Sequence, residues 1–340
     1  MQATRMIALA AGLLSLVSVA EAQTPGEVFR KVTPSVVVIR AKGSEVTAAG
    51  QVRFLETGSG VLISSDGKVM TAAHVVHAMN EISVEFLGGE TVSAKVIASE
   101  PAADLSLLQL ERVPPAARMS GMANSDTVRV GDPVYIVGAP YGLSYSLSAG
   151  LISARWAPNT IYKTMPLAEF FQTDATINTG NSGGPMFNAA GEVIGIVSHN
   201  ISKSGGSEGL GFVVTMNTAR QLLLEKRSFW GGLEGQFLTE ELADLLNVPN
   251  NMIGYLVKSV AKDSPGELTG LRGGTTVVTI GGQPVVLGGD IILWVEGIPA
   301  NSAANMMQVR DLLAGLKPGS EVKVSILRTG RVLELTGVVP

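Results

Sequence analysis

The 340-residue chain contains no cysteine and three histidines, and only 16% of its residues are charged. Without cysteine there are no disulfides, no thiol nucleophile and no thiolate metal site. Lysine and arginine number 25 against 29 aspartates and glutamates, a net charge of −4. That balance lacks the cationic surplus that follows a phosphate backbone, so no nucleic-acid partner is expected. Little charge with 46% hydrophobic content is a folding composition, and the length suits about two domains. Long apolar runs are scarce too. The one at Ile7 to Val19, "IALAAGLLSLVSV", follows Arg5 and precedes the small-x-small Ala20-Glu21-Ala22. Its thirteen residues fall short of the roughly 20 that span a bilayer as a helix. Residues 1–22 are therefore expected to be a signal peptide for export, cleaved before Gln23, with no membrane span left afterwards.

From Val36 to Val214 the chain is a series of short apolar, β-branched segments divided by Gly, Pro, Asn and Asp. "SVVVIR", "GSGVLIS", "DLSLLQL", "EVIGIVS" and "GLGFVVT" are all of strand length. The pattern predicts an all-β sandwich or barrel. Near "NTARQLLLEKR", Asn217 to Arg227, it turns helical, and a second region with its own strands and helix follows. The expected division is 23–225 and 226–340.

One string resists any ordinary element: "DATINTGNSGGPMF", Asp174 to Phe187. Gly180, Asn181, Ser182, Gly183, Gly184 and Pro185 make neither a good helix nor a good strand. Alone, it suits either a nucleophile turn or a Gly-rich hairpin whose serine bonds its own backbone. A nucleophilic serine needs a base. His74 stands at the end of an apolar strand in "MTAAHVVHAM", and Asp104 heads the apolar strand of "EPAADLSLLQL". A carboxylate placed there can hold an imidazole by its Nδ1 proton. His74 and His77 are also spaced to share a metal on a helical turn, but no third ligand is evident, and neither a metal nor any other cofactor is expected. His77 reads as a surface or half-buried residue of that turn.

The order His74, Asp104, Ser182, with "TAAH", "ADLSLL" and "GNSGGP", resembles the chymotrypsin-like serine proteases, and more closely the HtrA family, which couples such a domain to C-terminal PDZ domains. The resemblance implies a mainly β fold: a two-barrel chymotrypsin-like domain followed by a small α+β PDZ domain. It implies His74, Asp104 and Ser182 as a catalytic triad, with the amides of Gly180 and Ser182 as the oxyanion hole. Side chains at 180 and 183 would obstruct the concave turn that points those amides together. Thr176 occupies the place where proteases cutting after Lys or Arg carry an acid, so a pocket formed with Val197 and Ser198 should prefer small or medium apolar residues. His199, next to that segment, reads either as a pocket residue or as a loop position without catalytic role.

The region after residue 225 resembles one PDZ domain. "FWGGLEG" stands where the family's carboxylate-binding loop lies, so Trp230, Gly231, Gly232 and Leu233 are the expected peptide-binding residues. "LGGDIILWVEGIPA" resembles a PDZ strand motif, a helix follows from Asn305, and a final hairpin turns through Thr329-Gly330. "RGGTTVVTIGGQPVVLGG" departs from the family pattern and is expected to insert a hairpin near Gly273–Gly289. The functional expectation is an exported, periplasmic serine endopeptidase acting on unfolded or misfolded polypeptides, with peptide C-termini bound at the PDZ domain and a homotrimeric assembly. The competing expectation is a non-catalytic holdase of the same fold.

Overall fold

The computed structural model describes residues 23–339 except 144, 204, 250 and 251, so the expected signal peptide lies outside the described residues. A short helix, α1 (Pro25–Val32), opens on a capping box. Glu27 N donates to Thr24 Oγ1 (3.3 Å) and Thr24 N donates to Glu27 Oε2 (2.8 Å), which satisfies two amides that a helix start leaves free. Its Val28 and Val32 are buried where two barrels meet.

The first barrel closes in the order β1-β2-β3-β6-β5-β4, from β1 (Val36–Thr47), β2 (Gly50–Leu62), β3 (Lys68–Thr71), β4 (Glu81–Glu85), β5 (Thr91–Glu100) and β6 (Leu105–Leu110). One helical turn, α2 (Ala73–Val76), follows β3. The second closes in the order β10-β11-β12-β9-β8-β7, from β7 (Pro133–Gly138), β8 (Ser146–Trp156), β9 (Phe170–Thr173), β10 (Pro185–Phe187), β11 (Val193–Asn200) and β12 (Gly211–Thr215).

Several strands are apolar without alternation because both of their faces are buried. Val37 and Ile39 fill the first barrel while Val36 faces the seam between barrels. In β7, Val134 and Ile136 fill the second barrel while Tyr135 and Val137 face the seam. β11 and β12 repeat the division, with Val197 and Val213 inside the barrel and Ile196 and Val214 at the seam. The seam is thus a third core, shared by both barrels, and it brings residues distant in the chain to one cleft.

The helical segment expected near Asn217 is α3 (Met216–Arg220), continued by one π-type turn to Glu225. A smaller α+β unit follows. Its sheet runs β13-β14-β17-β19-β20, from β13 (Leu233–Phe237), β14 (Tyr255–Val260), β17 (Ile291–Val295), β19 (Glu321–Arg328) and β20 (Arg331–Val338), with β18 (Ile298–Pro299) beside β17. Helices α4 (Glu240–Leu245), α5 (Pro265–Leu268) and α6 (Ala303–Gly315) accompany it, and Val309 and Leu313 of α6 share a core with Ile292 and Ile326 of the sheet. β15 (Thr276–Ile280) and β16 (Gln283–Leu287) form the separate hairpin, turning at Gly281 and Gly282 with φ of 58° and 79°. A two-residue turn with both φ positive is the geometry that fits the twist of a hairpin, and glycine adopts it without strain.

Candidate active site

The sequence places His74, Asp104 and Ser182 far apart, and the seam brings them together. His74 lies on α2, just past the end of β3. Asp104 ends the turn Pro101–Ala103 in the left-handed region, with φ 54° and ψ 44°, and the chain enters β6 directly after it. Its carboxylate is met from three directions. His74 Nδ1 donates to both oxygens (2.9 and 3.0 Å), His74 N donates to Oδ1 (3.1 Å), and the Ser198 hydroxyl donates to Oδ2.

Burial pushes the Asp104 carboxyl up, but the hydrogen bond and charge of His74, with the bonds from Ser198 and the His74 amide, outweigh it and hold the group below its ordinary value. His74 shows the complementary balance. Burial lowers its pKa, while the bond and charge of Asp104 and the charge of Glu56 raise it further, for a net rise. The pair is an ionised carboxylate beside an imidazole whose Nδ1 carries the proton, which leaves Nε2 as a base.

Ser182 Oγ does not bond that base. It donates to Ser198 O (3.2 Å), so the hydroxyl must leave that acceptor before it can give its proton to His74. The surrounding turn is otherwise fixed. Thr179 O accepts from Tyr141 N (2.8 Å), and because the peptide is trans, the Gly180 N–H points away from that contact. Neither the Gly180 nor the Ser182 amide meets an acceptor among the described residues, whereas Asn181 N and Gly183 N are bonded to Asn178 O and Val197 O. Two free amides flanking one hydroxyl is the arrangement that can stabilise an oxyanion.

Ser59, which the sequence reading passed over, holds this turn to the first barrel. Its Oγ donates to Gly180 O (2.7 Å) and accepts from Ala139 N (3.0 Å), its N donates to Ser182 O (2.8 Å), and its O accepts from Thr71 Oγ1 (2.8 Å). The signal was the flanking pair Gly58 and Gly60 inside a strand. A Cβ at 58 would lie 3.0 Å from Ser182 O, so glycine there marks a close backbone approach.

The expected pocket residues separate. Thr176 is exposed on the turn, its carbonyl accepting from Asn181 Nδ2 (3.5 Å). Val197 is fully buried inside the second barrel, and the Ser198 hydroxyl is spent on Asp104. His199 lies within strand β11 rather than on a loop, since it pairs with Phe212.

Trp230 and Leu233 reach the first barrel. Trp230 Nε1 donates to His77 O (2.8 Å), and His77 Nε2 donates to Leu233 O (3.0 Å). Gly232, at φ 70°, sits where a Cβ would be 2.2 Å from Ser264 Cβ; Gly231 O accepts from Gly266 N (3.0 Å). A second contact joins Arg310 of α6 to Glu100 (2.6 Å), whose side chain is 7% exposed and whose other oxygen accepts from Ala102 N (3.3 Å) in the turn that ends at Asp104. Among the described residues, no group of three or more His, Cys, Asp or Glu could hold a metal ion, and no helix is long and apolar enough to cross a membrane.

Two closed six-stranded barrels with the cleft at their seam define a chymotrypsin-like peptidase fold, and residues 58–196 match the family model of the trypsin-like peptidase domain. Among curated proteins, the chain is 36% identical over 263 residues to a probable periplasmic serine endoprotease DegP-like of Ectopseudomonas mendocina, covering 75% of this chain and 54% of that one. It is 33% identical over 367 residues to the periplasmic pH-dependent serine endoprotease DegQ of Escherichia coli, covering 97% of this chain and 76% of that one. Among solved structures, the HtrA-type protease AlgW with decapeptide superposes with a TM-score of 0.53 at 27% identity, over 93% of this chain and 99% of that one. The chain spans about half the length of the first curated relatives it matches. It belongs to the HtrA family of serine proteases, with DegP- and DegQ-type endoproteases as its relatives.

Proposed function

We propose that this protein is an exported, periplasmic serine endopeptidase of unfolded or misfolded polypeptides, with Ser182 as nucleophile, His74 as general base and Asp104 as the group that orients it. The observation that carries the reading is the His74–Asp104 pair beside the Ser182 turn, whose Gly180 and Ser182 amides meet no acceptor among the described residues. Ser182 Oγ turns from Ser198 O to His74 Nε2, gives up its proton and attacks the scissile carbonyl. The oxyanion forms between the amides of Gly180 and Ser182, and His74 then protonates the leaving amine. Water repeats the sequence on the acyl-enzyme.

Thr176 offers no counter-charge to a cationic side chain, so cuts are expected after Val, Ala or Ile. Mass-spectrometric mapping of a casein digest tests both points together. A digest cut mainly after Lys or Arg would overturn the pocket, and uncut casein would overturn the enzyme in favour of a holdase.

We also assign the C-terminal unit, from residue 226, a PDZ-type role in which a peptide C-terminus bound near Trp230–Leu233 tunes the protease. The contacts of His77 with Trp230 and Leu233, and of Arg310 with Glu100, support this, since each ends within a few residues of His74 or Asp104. Arg310→Met would leave Glu100 buried without its cation, a costly change at the Asp104 turn. Stimulation of chromogenic-substrate hydrolysis by decapeptides ending in apolar residues is expected to fall severalfold in this variant. Undiminished stimulation would remove Arg310 from the route.

A further inference from the structure

Ser198 has one hydroxyl proton, and Asp104 Oδ2 takes it. An ionised carboxylate can only accept, so the direction of that bond is fixed. The second contact of Ser198 Oγ, with His199 Nδ1 at 2.9 Å, must therefore run the other way, with the imidazole donating. His199 is thus an Nδ1–H tautomer when neutral, and its Nε2 carries a lone pair. Among the described residues that nitrogen is buried without a hydrogen-bond partner, and so is the hydroxyl of Tyr162 beside it. The ring is held on three sides: stacked on Phe212 (centroids 5.4 Å apart, 17° between planes) and edge-on to Tyr162 (4.3 Å) and Phe170 (5.7 Å). Such an aromatic slot fixes the direction of the Nδ1–H bond. Burial, with the charge of His74, outweighs the opposing charge of Asp104 and pushes His199 below its ordinary pKa, which favours the neutral ring.

We propose that His199 is a positioning residue for catalysis, donating from Nδ1 to Ser198 so that the Ser198 hydroxyl stays on Asp104 and the carboxylate stays aimed at His74. The inference rests on the triad reading given above. Ser198 occupies two points of the site at once, its hydroxyl on Asp104 and its carbonyl under Ser182 Oγ. Anchoring it therefore sets both the base's partner and the resting position of the nucleophile. Without the His199 donor, one lone pair of a buried hydroxyl goes unmet, which loosens the bond that Asp104 depends on.

Two substitutions separate donation from packing. His199→Phe keeps a ring to stack on Phe212 but has no donor, whereas His199→Asn loses the ring but carries an amide N–H on Cγ, where the imidazole carries Nδ1–H. The Phe variant is expected to lose about tenfold in kcat with KM within about twofold, and the Asn variant to stay within about threefold of the parent in kcat. A Phe variant with unchanged kcat, or an Asn variant that falls as far as Phe, overturns the proposal. A second reading does not depend on activity. Long-range ¹H–¹⁵N spectra of the Ser182→Ala protein should show His199 protonated at Nδ1 and not at Nε2 near neutral pH. An Nε2–H tautomer would overturn the proposal even if the protease reading stands, and an Nδ1–H tautomer in a protein that cleaves nothing would leave this bond in place while the protease reading fails.

Discussion

Ser182→Ala is expected to reduce kcat/KM by about 10⁴-fold or more while leaving the fold intact, and His74→Ala and Asp104→Ala should fall towards the same floor. The losses are not expected to multiply, because on the proposed triad each variant removes the same unit: nucleophile, base and the carboxylate that orients the base. Circular dichroism and thermal melting separate this from unfolding, since among the described residues Ser182 Oγ makes one bond, to Ser198 O. The pH profile of the parent enzyme belongs to the same prediction. His74 works as a base only when neutral, and its pKa is raised by Asp104 and Glu56 beyond what burial lowers. Activity should therefore be full at high pH and fall as pH drops through a midpoint above about 6.5, the ordinary histidine value. Asp104, held low, stays ionised throughout that range. An acid limb centred near 4 would mean that a carboxylate, not His74, is the base. Normal casein hydrolysis by His74→Ala alongside loss in His77→Ala would move the base to the other histidine.

Gly180→Ala is the second large effect. A Cβ there would lie 2.2 Å from Ala139 O, and the residue sits at φ 99°, where a side chain is strained even in open space. Relief requires the Thr179–Gly180 peptide to move, and its N–H is one of the two free donors. Loss of one oxyanion donor costs about 10²–10³ in kcat. Gly50→Ala supplies the control, since it has φ 109° with nothing within 4 Å of the added carbon. It carries the backbone cost without the collision, and its activity should stay near that of the parent. Equal damage from both substitutions would show that general strain, not the oxyanion turn, is responsible.

What could be read from the chain depended on whether the signal was local. The apolar runs at Val36–Ile39 and Val193–Val197 announced strands because both of their faces are buried, one in a barrel and one at the seam. Gly281-Gly282 and Thr329-Gly330 announced their hairpins because both residues of each turn need positive φ. His74, Asp104 and Ser182 were legible through the short strings around them. The remaining parts of the site were not. Ser59 acts through hydrogen bonds to residues 80 and more positions away, and only its flanking glycines hint at the approach. Glu100 and Arg310 are 210 positions apart, and nothing in either segment names the other. Val197 and Ser198 are adjacent, yet one points into the barrel and the other to Asp104, a division that follows from the pleat once β11 is placed. His199 read only as a pocket or loop residue because its aromatic slot is assembled from β9, β12 and the loop carrying Tyr162.

On the proposed mechanism one hydroxyl among many performs the chemistry. Treatment with diisopropyl fluorophosphate, followed by intact-mass measurement and peptide mapping, tests it directly, because such reagents phosphorylate a serine that a neighbouring base activates. A single adduct is expected, located on Ser182, with casein hydrolysis lost in proportion to labelling and no adduct in His74→Ala. Full hydrolysis with Ser182 quantitatively modified, or an adduct at another serine that alone abolishes activity, would contradict it.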